Sequence, residues 1–435
     1  MSEGLKPLLR RALKSSVGKN ALSLYSIRFA NYILPLIIVP YLVRVLGAEE
    51  FGLLGFAQGL VAYFGVVVDY GFDWSATRMI SVGRSDPNAV SRTAVSVWGA
   101  KSFLLALSVC ALLPITLCVP KVREAALVVW IIFASLAGRV LFPSWLYQGL
   151  EQMTGIATIN ISVRVAGLIA LILFVRQPRD LLVCAAILSI QSLLAGFMGV
   201  AWAIRKFRIQ LALPGWSDIW SSLKNGMALF LSASATTLYT SGNAFVLGML
   251  VGNFSTVGYY VAAERLVRAA NDALGPISQA FFPRVASLAS ASKELALREG
   301  RRVLAVLAPL GAGIFAVTVV LAPEIVRIVF GHNFTPTISV LRILAFCIPN
   351  IALATVWSTL MMMSFKRDYA VMKILFVAGL LNIGLAIAIA PRWGADGMAI
   401  GVVAAETFVN AASFIYTLKH GLNPIRLRPA YARNT

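Results

Sequence analysis

Apolar runs about 20 residues long, enough to cross a bilayer as helix, recur from Leu22 to Leu418. Twelve of them fall at 22–45, 52–74, 93–118, 125–149, 156–175, 181–204, 225–250, 256–280, 303–322, 337–363, 369–390 and 397–418. Most joining segments are too short to fold by themselves. The longest, Ser75–Arg92, Arg205–Lys224 and Phe281–Arg302, are polar and basic and read as loops, except that Pro214, Trp216, Ile219, Trp220 and Leu223 in the second form a pattern suited to an interfacial helix. A chain patterned in this way is an all-α polytopic membrane protein with twelve transmembrane helices. Only 13% of its residues are charged, against roughly 25% in soluble domains, and 59% are hydrophobic.

The net charge is +20, which in a soluble protein would point to nucleic acid. Here the bases flank the spans. Lys6, Arg10, Arg11, Lys14, Arg78, Arg84, Arg205, Lys206, Arg284, Arg301, Arg302 and Lys419 all fall on one side. Fewer, such as Lys121, Arg123, Arg179 and Arg392, fall on the other. That asymmetry places both termini in the cytoplasm, and no nucleic-acid partner is expected. Residues 1–19 read as an amphipathic helix on the inner leaflet, with Leu5, Leu8, Leu9 and Leu13 on one face. No small-residue cleavage site follows, so a removed signal peptide is not expected. The four cysteines are scattered and the only histidines are His332 and His420. Neither a metal site nor a cofactor is suggested.

Seven bases lie inside the apolar runs: Arg28, Lys101, Arg139, Arg164, Arg265, Arg268 and Arg342. Five acids lie in or near the ends of runs: Asp69, Asp73, Glu264, Asp272 and Glu406. Charge at bilayer depth costs about 2.5 kcal/mol per residue or more. Such groups therefore face one another or a wet interior. Glu264, Arg268 and Asp272 recur every four residues and share one helix face. They either neutralise one another or release a base to a ligand, and both readings stay open. With bases in excess, the path suits an anionic passenger, because arginine forks match phosphate and carboxylate oxygens. Arg139, Arg164, Arg265 and Arg268 are the candidate headgroup contacts, and Arg28 and Lys101 would draw the headgroup in. Asp69 or Glu264 is the candidate for a coupling proton or sodium ion. Asn31, Gln58, Gln148, Asn160, Asn243, Asn271, Asn350, Asn382 and Asn410 could bind sugar hydroxyls, although each asparagine has a plainer reading as a helix–helix bond.

The second and eighth spans match at a constant offset close to half the chain. Gly52 falls on Gly258, Ala57 on Ala263, Gln58 on Glu264, Arg78 on Arg284 and Ser81 on Ser287. Two like-oriented six-helix lobes are expected, 1–204 and 225–435, with a central site between them. Segment 205–224 would be the cytoplasmic linker. Pro35 and Pro40 are expected to interrupt the first span.

Three stretches carry a family resemblance. NYILPLIIVPYLVRVLGAEEFGLLGFAQ (Asn31–Gln58), VVDYGFDWSATRMIS (Val67–Ser81) and AAERLVRAANDALGPISQAFFPRVASLA (Ala262–Ala289) resemble the Wzx-type polysaccharide flippases. These belong to the superfamily that holds the multidrug and toxin extruders (MATE) and the lipid II flippase. The resemblance implies a MATE-like two-lobed protein of the bacterial inner membrane. It would move undecaprenyl-diphosphate-linked oligosaccharide between leaflets by alternating access, for O antigen, capsule or exopolysaccharide. Membrane lipids, a polysaccharide polymerase and chain-length machinery are the implied partners, and a monomer is expected. A polymerase or glycosyltransferase is the enzymatic rival, but no DxD, HExxH or GxSxG-type site is present. A multidrug antiporter is the other rival, and it would need acids to dominate the path.

Overall fold

The computed structural model describes residues 16–426, with side chains described from 34 onward apart from 35, 426 and several positions between 228 and 239. Among these residues every element is helical. Helix α1 spans Ser16–Asp69, α2 Phe72–Gly83, α3 Pro87–Cys118, α4 Pro120–Glu124, α5 Ala126–Leu141, α6 Ser144–Gly149, α7 Met153–Phe174 and α8 Leu181–Phe207. Then come α9 at Trp216–Thr240, α10 Asn243–Leu250, α11 Phe254–Ala291, α12 Lys293–Val320, α13 Ala322–Val329, α14 Thr337–Leu344, α15 Cys347–Ala354 and α16 Asp368–Lys419. A π-helical stretch, Thr355–Met363, extends α15. Each of the twelve predicted intervals is mostly helix. The amphipathic reading of 1–19 falls largely outside the described residues, as does the tail after 426.

Among the described residues, eight helical stretches are long and apolar enough to cross a membrane. Their burial runs opposite to that of a soluble protein. The apolar window of Lys293–Val320 has mean hydropathy 2.4 and is 17% buried, whereas that of Leu36–Gly83 has 1.9 and is 61% buried. Leu117, Phe174, Phe197, Val320 and Ile387 all project from the surface. Apolar surface of this extent needs lipid around it. The chain is a multi-pass membrane protein.

The breaks lie elsewhere than the prolines suggest. Helix α1 runs through Pro35 and Pro40 and turns only at Gly47 (φ 73°, ψ 178°), a conformation open to glycine. Likewise α16 turns at Gly394 (φ 55°, ψ −128°). Two segments read as loops are helical. Helix α2 runs into Ser75–Arg92, burying Phe72, Ala76 and Ile80 and exposing Trp74, Arg78 and Val82. Within Phe281–Arg302, α11 and α12 run on either side of Ser292. Polar residues end the apolar run there, but the backbone stays helical on both sides, and the buried Glu299 ties the two helices by taking Arg284 at 3.2 Å and Arg302 at 3.0 Å.

The chain divides into two compact units at Thr237–Leu238, within α9. In the first unit Phe72, Ile80, Val97, Trp145 and Tyr147 form a fully buried aromatic and aliphatic core. Elsewhere in this unit helices α5 and α8 meet along small residues. Ser189 donates to the carbonyl of Ile131 (2.6 Å) and Ser192 to that of Ser135 (2.7 Å). Gly138 faces the Ser192 backbone so closely that no Cβ would fit. In the second unit a smaller cluster, Ala354, Ala378, Ala405 and Val409, packs α15 against α16.

Candidate functional site

Helix α1 ends at Asp69 because the next two residues, Tyr70 (φ 46°) and Gly71 (φ 74°), are left-handed. This turn leaves the Asp69 carboxylate between two cations. Its Oδ1 lies 3.2 Å from Lys101 Nζ on α3, and its Oδ2 3.2 Å from Arg139 Nη2 on α5. The Lys101 side chain is only 3% exposed. It also donates to the Arg139 carbonyl at 3.0 Å. That carbonyl belongs to the last turn of α5, where carbonyls lack helical partners and a cation is favourable. One ammonium thus caps a helix and fixes a carboxylate. The carboxylate in turn holds a guanidinium that remains half exposed. Gly65 makes room for it, since a Cβ there would strike Arg139 Nη1.

These groups line a cavity of about 430 Å³ in the first unit. Helix α7 adds Arg164, whose Nε donates to Asn160 one turn earlier (2.8 Å). Asp73 on α2 also lines it and accepts from the Ser144 hydroxyl at 2.8 Å. Three cations and two carboxylates face this space, so its wall carries a net positive charge. Of five predicted headgroup or coupling residues in this half of the chain, Lys101, Arg139, Arg164 and Asp69 come together. The fifth, Arg28, lies among the residues whose side chains are not described.

The remaining predicted residues lie on α11 in the second unit. Arg268 donates to Glu264 at 3.2 Å and to the carbonyl of Thr240 at 3.0 Å. Arg265 is half-buried beside them. Asp272 forms no ion pair among the described residues. The asparagines pair across helices: Asn382 donates to Asn243 (2.8 Å), and Asn410 to Asn350 (3.0 Å) while accepting from Trp357 (3.0 Å). Asn160 alone of these reaches the cavity.

Sequence reasoning missed the contributions of Tyr70, Gly71, Ser144, Gly65 and Gly138. The string DYGFD at Asp69–Asp73 was the available signal. A glycine between two acids inside an apolar run marks a turn rather than a helix interior.

Fold and site together define a multi-pass helical membrane protein with a cationic cavity in one half. The backbone is similar to a solved structure titled "Lipid II flippase MurJ, inward closed conformation", with TM-score 0.74 over 92% of this chain and 87% of that one at 15% identity. It is also similar to an inward-facing MATE-family multidrug resistance transporter of the MOP superfamily, with TM-score 0.63 over 91% and 97% at 14% identity. Residues 17–289 match the family described as "Polysaccharide biosynthesis protein", and the chain belongs to that family. Two relatives bear the name "Putative O-antigen transporter". The Escherichia coli (strain K12) protein is 29% identical over 94% of this chain and 98% of its own length. The Shigella dysenteriae protein is 27% identical over 90% and 97%.

Proposed function

We propose that this protein is a lipid-linked oligosaccharide flippase of the bacterial inner membrane. It moves undecaprenyl-diphosphate-linked glycan repeat units between leaflets by alternating access, for surface polysaccharide export. The observation that carries this reading is the cationic cavity in the first unit. Arg139 keeps donors beyond the one turned to Asp69, and Arg164 keeps its terminal amines. A diphosphate offers those donors shorter and stronger charge-assisted bonds than a neutral sugar does. Asp69 is then displaced from Arg139 but stays on Lys101. The O-antigen transporter names of the two relatives support the cargo class. A multidrug exporter of this fold fits less well, because Lys101, Arg139 and Arg164 outnumber Asp69 and Asp73.

The finer reading follows the charge pattern: twelve crossings, both termini cytoplasmic, two six-helix lobes at 1–204 and 225–435 joined through 205–224, and a monomer. A polysaccharide polymerase and chain-length proteins would receive the product. Lys101 acts as a positioning residue, since its ammonium is buried. Arg265 and Arg268 serve the path in the second unit, and a proton or sodium ion on Asp69 or Glu264 couples transport to a gradient.

Deleting the gene and analysing the lipids of spheroplasts tests the class. Lipid-linked oligosaccharide should accumulate on the cytoplasmic face. Normal surface polymer without accumulation would sink the proposal. Glu264→Gln tests the coupling role. The Glu264–Arg268 pair is an i, i+4 pair with a half-exposed arginine. Its loss should change stability by less than about 1 kcal/mol. Export should nevertheless fall and lose its dependence on the ion gradient. Unchanged export with unchanged ion dependence removes Glu264 from the mechanism.

A further inference from the structure

Tyr70 holds a conformation that a bulky side chain rarely adopts. Its φ is 46°, and the residue is only 7% exposed. Strain of this kind persists only where surroundings over-determine it. Here the surroundings are Phe72, with ring centroids 5.7 Å apart, and α9. The Tyr70 ring stacks on Phe230 with centroids 4.5 Å apart and planes 12° from parallel. Its hydroxyl lies 3.3 Å from Met227 Sδ. Gly226 presses against it, since a Cβ there would lie 3.0 Å from both Tyr70 Cδ1 and its carbonyl oxygen. The residue before Tyr70 is Asp69, which holds both Lys101 and Arg139. Helix α9 is the one through which the chain passes into the second unit.

We infer that Tyr70 is a positioning residue that links occupancy of the cationic cavity to the position of α9. While Asp69 bridges Lys101 and Arg139, the left-handed turn is held and the ring is fixed against Phe230. When an anion takes Arg139, Asp69 loses one of its two anchors. The turn is then free to relax toward an ordinary backbone conformation, and the ring carries α9 with it. The occupant named here, a lipid diphosphate, rests on the flippase reading. The mechanical link between Asp69 and α9 does not.

A single cysteine at Asn225→Cys reports on α9, with the four native cysteines replaced. Asn225 is exposed and faces Met79 of α2. Its maleimide reaction rate follows the gap between the two helices. Releasing the latch without ligand uses Asp69→Asn with Lys101→Met, so that no buried ammonium is left unpaired. This should change the labelling rate by about threefold or more with Tyr70 or Tyr70→Phe present, and not with Tyr70→Asn. Asparagine tolerates the left-handed region but has no ring to push on α9. Phe230→Leu, which removes the stacking partner and leaves Tyr70 in place, should behave as Tyr70→Asn does. It also serves if that variant folds poorly. With undecaprenyl diphosphate, Tyr70→Asn should bind within about twofold of the parent, while turnover in proteoliposomes falls about tenfold at unchanged KM. The link is overturned if the labelling change survives in both Tyr70→Asn and Phe230→Leu. It is also overturned if Tyr70→Asn weakens binding as much as turnover, because the ring then only shapes the cavity. If the parent binds no undecaprenyl diphosphate but the latch still moves α9 through the ring, the flippase reading falls and the link stands.

Discussion

Arg139→Glu abolishes export while the protein stays in the membrane at about its normal level. The substitution removes the guanidinium that now meets Asp69 at 3.2 Å and leaves a shorter carboxylate on the same wall. It removes the fork that a diphosphate needs and puts a second negative charge beside the first. The change reverses the charge at the point of contact instead of only removing it, so transport should drop by about 100-fold or more. Lys101 stays paired with Asp69 in this variant, which is why the fold should survive. Arg139→Lys keeps the charge without the planar fork and should retain an intermediate rate. Surface polymer on blots and flipping of a labelled lipid-linked sugar in proteoliposomes are the measurements. Full export by Arg139→Glu would remove the cationic cavity from the mechanism. Arg268→Glu is the matching test in the second unit. It breaks the contacts with Glu264 and with the Thr240 carbonyl together.

Helices were readable because burial in lipid and burial in protein demand the same apolar residues. The run at 303–322 and the helix Lys293–Val320 differ mainly where Arg298, Glu299, Arg301 and Arg302 lower the hydropathy. Hydropathy sees those residues as a loop. Hydrogen bonding in the backbone does not, and Glu299 turns them into an ion-paired helix end. The same blindness hid α2, whose amphipathic pattern is only twelve residues long.

The site was half legible for a related reason. An ionisable group inside an apolar run has to be paired or wetted, and that rule picked out Asp69, Lys101, Arg139 and Arg164 one by one. It carries no information on which of them meet. Asp69, Lys101 and Arg139 lie on three helices with no shared periodicity, and only packing brings them to 3.2 Å. Nor does charge alone distinguish a buried anchor from an exposed contact. Lys101 and Arg139 read alike in sequence, yet one is sealed and the other half open. The glycines that set this arrangement, Gly65 and Gly138, are invisible to hydropathy because their role is to be absent as side chains.

Gly138 gives the largest structural effect expected. It precedes Arg139 and sits where α5 crosses α8. An added Cβ would overlap the carbonyl of Ser192 and the nitrogen of Leu193, and these are backbone atoms that no rotamer change can move away. Gly196 is constrained reciprocally by the carbonyl of Gly138. Helices this close gain dispersion along their whole contact, which replaces the missing hydrophobic drive between helices in lipid. Gly138→Val forces α5 off α8, breaks the serine–carbonyl bonds at Ser189 and Ser192, and swings Arg139 away from Asp69. Overpacking in a close-packed interior costs about 1–3 kcal/mol when side chains can yield. Against backbone the loss exceeds about 3 kcal/mol, enough to deplete folded protein from the membrane. Gly138→Ala should already lower the melting temperature in detergent. Gly199→Ala, on the same face of α8, is the control, because its Cβ would meet only the side chains of Pro143 and Phe142, at 3.2 and 3.3 Å. Equal melting temperatures for Gly138→Ala and Gly199→Ala would mean that the α5–α8 crossing does not set the cavity, and that Arg139 is placed by Asp69 alone.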